Sequence, residues 1–207
     1  MGRPDKRAKF GSVVERPDRS FFSRYTPEVA RELLGCLLVR KVGRRTLSGR
    51  IVEVEAYRGS DDPASHSFKG VTKRSALMFG EAGHAYLFFS YGFHWCLNVT
   101  TEEEGQPGAV LIRALEPIQG IAQMAENRGL SDVGRLTNGP GKLTKALSID
   151  GTFNGEDIVT SRRLYVLRGE EEPLVIKASA RIGLSRGREL QWRYFIEENA
   201  FVSKQNA

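Results

Sequence analysis

Only two cysteines occur in the 207 residues, too few for a disulfide framework. Cys36 and Cys96 each lie inside an apolar run, in neither CxxC nor Cys/His spacing, so both read as small reduced core residues and not as zinc ligands. The three histidines, His66, His84 and His94, are not at HExxH or HxH spacing, and no metal or other cofactor is expected. Long apolar runs are missing as well. No stretch approaches the roughly 20 residues needed to cross a bilayer, and the basic start (Arg3, Lys6, Arg7, Lys9) is not followed by the apolar segment of a secretion signal. These absences predict a soluble cytoplasmic protein with no membrane partner. Internal repeats and composition breaks are also lacking, which predicts one compact domain.

What the sequence does hold is positive charge and enough apolar residues for a core. Lys and Arg total 31 against 25 Asp and Glu, a formal net charge of +6, which favours a polyanionic partner such as nucleic acid. The first twenty residues are polar, basic and aperiodic and suit a flexible arm over 1–20, with the folded domain over 21–207. A helix is expected from Thr26 as N-cap, with Pro27 at the first helical position, to a stop at Gly35. Two β-rich runs, Cys36 to Val42 and Thr46 to Tyr57, are joined by Gly43-Arg44-Arg45 as a hairpin. Arg58 to Phe79 reads as a long loop, a length that usually goes with function or disorder. His84 to Ser90 and Phe93 to Thr101 form a second hairpin broken at Tyr91-Gly92, and Ala109 to Leu115 a further strand. Ile118 to Arg128 and Gly139 to Leu147 read as helices, and Leu164 to Leu167, Leu174 to Lys177 and Trp192 to Glu197 as closing strands. The sum is a mixed α/β (α+β) fold, a mostly antiparallel curved sheet with surrounding helices and a protruding hairpin, without the βαβ alternation of a doubly wound sheet.

Two places could carry chemistry. Period-two alternation in the second run puts Val52, Val54 and Ala56 on one face and Ile51, Glu53, Glu55 and Tyr57 on the other. A carboxylate such as Glu55 in a partly desolvated cleft can act as general base on water; as a lone strand residue it would simply be solvated. The second place is the hairpin tip, where Tyr91 stands before Gly92 in a position usually held by Asn, Asp or Gly. An aromatic there either wedges into a base step or folds back onto Phe89 or Phe93, and spacing alone does not decide.

Six separated segments share one resemblance. Gly49-Arg-Ile-Val-Glu-Val-Glu-Ala-Tyr57, Ala64-Ser-His-Ser67, Tyr86-Leu-Phe-Phe-Ser-Tyr-Gly92 with Cys96-Leu-Asn98, Val110-Leu-Ile-Arg-Ala-Leu-Glu-Pro117, Gly139-Pro-Gly-Lys-Leu143 and Arg181-Ile-Gly183 occur in order. Together they resemble the alkyladenine (3-methyladenine) DNA glycosylase family, in its bacterial form, over nearly the whole chain from about Thr26. The resemblance implies a monofunctional enzyme of base excision repair that flips a damaged purine out of duplex DNA and hydrolyses its N-glycosidic bond, leaving an abasic site. By position, Glu55 matches the general base, and Arg113 and the backbone carbonyl of Ile182 match groups that help hold the water. Tyr57, His66 and Phe88 match the aromatic pocket that stacks on the extruded base, and Asn98 a pocket-floor amide that disfavours the amino group of normal guanine. Tyr91 matches the residue that intercalates in DNA. Phe88 departs from the tyrosine of a mammalian member, keeping the stacking and losing a hydroxyl.

The implied partner is duplex DNA bearing a damaged purine, met by a monomer associated with the nucleoid. An aromatic pocket favours a cationic alkylated purine by cation–π attraction. Lys142, at a helix start, suits phosphate contact or simple solvation and not nucleophilic attack, so no strand-cleaving lyase step is expected. Glu53, about 7 Å from Glu55 by strand geometry, is expected to be structural or paired with a basic residue. Two rivals stand beside this reading. One is a non-catalytic binder of distorted DNA. The other is an ordinary glycoside hydrolase using Glu53 and Glu55 as acid and base, disfavoured because two carboxylates on one strand point the same way.

Overall fold

In the computed structural model, which describes residues 15–90, 92–169 and 173–203, the apolar runs between glycine turns become strands of a single sheet. In chain order the elements are α1 (Arg19–Phe22), α2 (Thr26–Leu33), β1 (Leu37–Val42), β2 (Arg45–Tyr57), β3 (Ala85–Ser90), β4 (His94–Thr101), β5 (Gly108–Gln119), α3 (Ile121–Arg128), α4 (Pro140–Ala146), β6 (Leu164–Leu167), β7 (Ile176–Ser179) and β8 (Arg193–Ile196). Every pairing is antiparallel, in the order β3-β4-β5-β2-β1-β6, with β8 pairing both β2 and β7. The sheet curls around a core completed by α2, packed on β2, and α4, packed on β4 and β5. This is the α+β fold with a curved antiparallel sheet that the sequence predicts. Among the described residues no helix is long and apolar enough to cross a membrane. Cys36 and Cys96 are buried and unpaired.

Strand β2 organises the molecule. Its first half, Arg45 to Arg50, pairs with β1 through the hairpin turned at Gly43, whose φ of +57° suits glycine. Its second half, Glu53 to Glu55, pairs with β8, while β5 runs along the opposite edge of both halves. Where the partner changes the strand bulges: Ile51 faces Leu115 and Glu53 faces Ala114, so Val52 has no counterpart in the register. The bulge corrects the alternation read from the sequence. Ile51 does not share a face with Glu53 and Glu55; it joins Val54 and Ala56 in the main hydrophobic cluster. The carboxylates beyond the bulge keep the face they share with Tyr57.

Several boundaries also move. Tyr25, not Thr26, takes the N-cap position of α2 without a side-chain bond. The acceptor comes from across the fold: Glu102 Oε1 receives the Thr26 backbone N–H at 2.8 Å and its hydroxyl at 2.6 Å, so the threonine is a helical residue capped by a distant carboxylate. Strand β5 continues to Gln119, opposite Ser48, and α3 starts at Ile121, not Ile118. Gly120, with φ of +78° against Leu47, makes the break. The strand expected over Leu174 to Lys177 is displaced to Ile176–Ser179 by its pairing with β8. The loop after β2 holds a short 3₁₀ turn, Ala76–Phe79, which buries Met78.

Candidate active site

The second half of β2, strands β3 to β5, the 58–79 loop and the segment after β7 converge on a cavity of about 260 Å³. That is roughly nine times the ~30 Å³ share of one water in the liquid, a space for one heterocyclic base. Tyr57, His66, Phe88, Asn98, Arg113 and Ile182, each singled out from the sequence, all line it. Glu55 lies directly behind this wall, fully buried, and is bonded to three of the lining residues. The Tyr57 hydroxyl donates to its Oε2 at 2.8 Å and the Ile182 backbone N–H to its Oε1 at 2.7 Å, and Arg113 Nη1 lies 3.3 Å from Oε2. The amide of Ile182 thus holds the carboxylate, on the same residue whose carbonyl the resemblance assigns to the water. Burial, with the negative charge of Glu55 next, pushes the Tyr57 phenol well above its usual range and keeps it a donor.

The aromatic wall is ordered by hydrogen bonds and ring contacts. His66 Nδ1 shares a 2.7 Å bond with the Tyr86 hydroxyl, and its ring meets Phe88 edge-on at 4.6 Å between centroids. Burial first, then the charge of Arg74, lowers the His66 pKa to about 4, so the imidazole is neutral near pH 7. Asn98 donates through Nδ2 to the Tyr86 carbonyl at 3.0 Å, which fixes the amide at the pocket floor. Burial also lifts the Cys96 thiol to about 11, leaving it an inert lining group.

Sequence reasoning missed four residues of this neighbourhood. Arg74 lines the cavity and lays its guanidinium over Phe88, 4.9 Å from the ring centroid. Tyr86 supplies the hydroxyl that orients His66. Arg181 covers Tyr57 at 4.6 Å from its centroid while making two 2.6 Å bonds to Asp62, a buried pair that braces the pocket from behind. Basic side chains crowd the 58–79 loop, which hides Arg74 among equals, whereas the Arg181–Asp62 pair spans 119 residues and has no local signal.

Glu53 meets the expectation of a basic partner twice over, with Arg113 Nε at 3.0 Å and Arg193 Nε at 2.7 Å. Ser203 donates its backbone N–H to Oε2 at 2.6 Å and its hydroxyl to Oε1 at 2.7 Å. Both oxygens are therefore committed, which removes Glu53 as the proton donor of a carboxylate pair. Lys142 stands outside the cavity. It lines a neighbouring groove with the exposed Phe89 and Phe93 and donates to Asn138 Oδ1 at 2.8 Å. Burial, and then the nearby Arg128 and Arg135, lowers its pKa. Tyr91 lies outside the described residues, between strands that pair up to Ser90 and His94. Among the described residues no group of three or more His, Cys, Asp or Glu is placed to hold a metal ion.

Comparison with known proteins agrees over most of the chain. Residues 20–200 match the family described as methylpurine-DNA glycosylase. A protein of Carboxydothermus hydrogenoformans is 45% identical over 189 residues, covering 90% of this chain and 97% of the relative. One of Desulfitobacterium hafniense is 46% identical over 202 residues, covering 92% and 99%, and one of Rhodopseudomonas palustris is 49% identical over 187 residues, covering 90% of each. All three are provisionally named 3-methyladenine DNA glycosylases.

Proposed function

This chain belongs to the methylpurine-DNA glycosylase family, and from that premise we propose that it releases alkylated or otherwise damaged purines from duplex DNA with Glu55 as the base that activates water. It is a DNA glycosylase, a hydrolase of N-glycosyl bonds in base excision repair. The observation that carries the assignment of Glu55 is its burial behind a base-sized aromatic cavity, bonded to three of the residues that line it.

The flipped purine stacks against Tyr57, His66 and Phe88, each such contact contributing about 1–3 kcal/mol. Neutral His66 adds no positive charge against a cationic base. Water oxygen attacks the sugar C1′ as the bond to the purine nitrogen breaks, the bonding pair leaving with the base. The water proton passes to Glu55, and Arg113 and the backbone at Ile182 keep the carboxylate and water aligned. Asn98 shapes the pocket floor against normal guanine. Tyr91 fills the place of the extruded nucleotide at an expense of roughly a few kcal/mol for unstacking, and Lys142 contacts a backbone phosphate. The catalytic domain is assigned to 21–207 and the basic arm to 1–20, whose described end is docked on the domain, with Arg16 donating to the Ser161 carbonyl at 2.8 Å and α1 beginning at Arg19, and the protein works as a cytoplasmic, nucleoid-associated monomer. Family membership does not favour a purely passive DNA binder.

The test is base release from duplex oligonucleotides carrying alkylated adenine, hypoxanthine or etheno-adenine, followed by alkaline cleavage. The wild type should generate abasic sites, whereas Glu55→Gln should bind the same duplexes and release nothing. If both proteins bind and neither releases base, the chemistry assigned to Glu55 is wrong.

A further inference from the structure

Glu53 and Glu55 leave one strand two residues apart and share a cation. Arg113 reaches Glu53 through Nε at 3.0 Å and Glu55 through Nη1 at 3.3 Å. The rest of the capacity of Glu53 is filled from far along the chain, by Arg193 of β8 and by the hydroxyl and backbone N–H of Ser203. A buried ion pair kept for stability alone is replaceable by apolar side chains, often with a gain. This one is tied through Arg113 to the residue that meets the water. We propose that Glu53 is a positioning residue: clamped by Arg193 and Ser203, it fixes Arg113 against Glu55 and holds back a share of that guanidinium's charge. The proposal rests on the reading of Glu55 as general base.

The charge balance gives the arrangement its sense. Facing Glu55 are the Tyr57 hydroxyl and Glu53 on its own strand, Arg113 on β5, the Ile182 amide and the Asp62-paired Arg181 on the segment after β7, the Cys96 thiol on β4, and Arg193 opposite it on β8. Among these described groups Glu53 is the anion that shares Arg113 with Glu55, as Asp62 is the one that holds Arg181. Without it the whole Arg113 charge would fall to Glu55, favouring its ionised form and making it a poorer acceptor for the water proton.

Two measurements on the full chain test this: single-turnover base release against pH, and the carbon-13 NMR titration of the Glu55 carboxyl in the free protein. They are made on the wild type, on Glu53→Gln, and on Glu53→Gln/Arg193→Met, which strands no buried cation and keeps the test available should the single variant fail to fold. Both the acidic limb of the rate profile and the NMR midpoint of Glu55 should move down by about one pH unit, and the plateau rate should fall about three- to tenfold. Glu53→Asp, which retains the charge, should restore most of the midpoint. A folded variant with a lowered melting temperature but an unmoved limb and midpoint would overturn the proposal and leave Glu53 a structural ion. A wild type that releases no base would instead sink the function proposed for Glu55, an outcome the NMR midpoint keeps separate.

Discussion

The two faces of β2 are equally removed from water and differ in what that removal requires. Ile51, Val54 and Ala56 on one face, and Glu53 and Glu55 on the other, are all 0% exposed. For the first set burial is itself the stabilisation, at about 25 cal/mol per Å² of apolar surface. A different apolar set of similar volume would serve. The second set is tolerable only because Arg113, Arg193, Tyr57, Ile182 and Ser203 bring donors to fixed points. The apolar face thus constrains volume, and the ionic face constrains the identity and place of each partner.

That contrast can be broken most severely at Glu55. Glu55→Gln should lower single-turnover base release by about 10²- to 10⁴-fold while gel-shift affinity for lesion duplex persists; wild-type rates would mean that the ionic face is structural. On the apolar face, Ile51→Ala should lower stability by about 2–5 kcal/mol in urea unfolding, with the rate per folded molecule close to wild type. A rate loss exceeding the loss of folded protein would show that the faces are not separable. Tyr57→Phe keeps the ring and deletes the 2.8 Å donor to Glu55, so the maximal rate should fall about tenfold with lesion affinity nearly unchanged. The last effect, confined to acidic pH, belongs to His66, whose pKa drops from 6.5 to about 4 on folding. As pH falls below about 6.5 the unfolded chain takes up this proton first, so the stabilisation from a neutral His66 is lost progressively down to about pH 4. Urea midpoints of His66→Gln should show a shallower decline over that window, and parallel curves would refute the assignment.

Legibility in the sequence followed distance along the chain. Both strand pairs that close through short turns, and the face shared by Glu53 and Glu55, follow from local pattern. The bulge at Val52 does not, because valine and isoleucine are equally good strand formers and an unpaired residue leaves no mark in composition. Thr26 looked like a cap because the carboxylate that does the capping, Glu102, lies 76 residues away. Six of the lining residues of the pocket were found through the order of six motifs; spacing alone did not bring His66, Phe88, Asn98 and Ile182 together. Arg193 and Ser203 lie 140 and 150 residues from Glu53, and although the strand carrying Arg193 follows from its pattern, only the topology joins them to Glu53.

The clasp between Ser203 and Glu53 also sets a timetable for the protein's birth. A ribosome that has just added Glu53 must add 150 more residues before the Ser203 amide exists, roughly 8–30 s at ordinary elongation rates. Glu55 follows within two residues, and for most of that interval both carboxylates wait without the Arg193 guanidinium, 140 residues on, and for all of it without the Ser203 amide. The clasp on Glu53 can therefore close only after Ser203 has emerged, and a prematurely terminated product ending before it would carry the residues of the aromatic cavity with the support behind Arg113 unfinished.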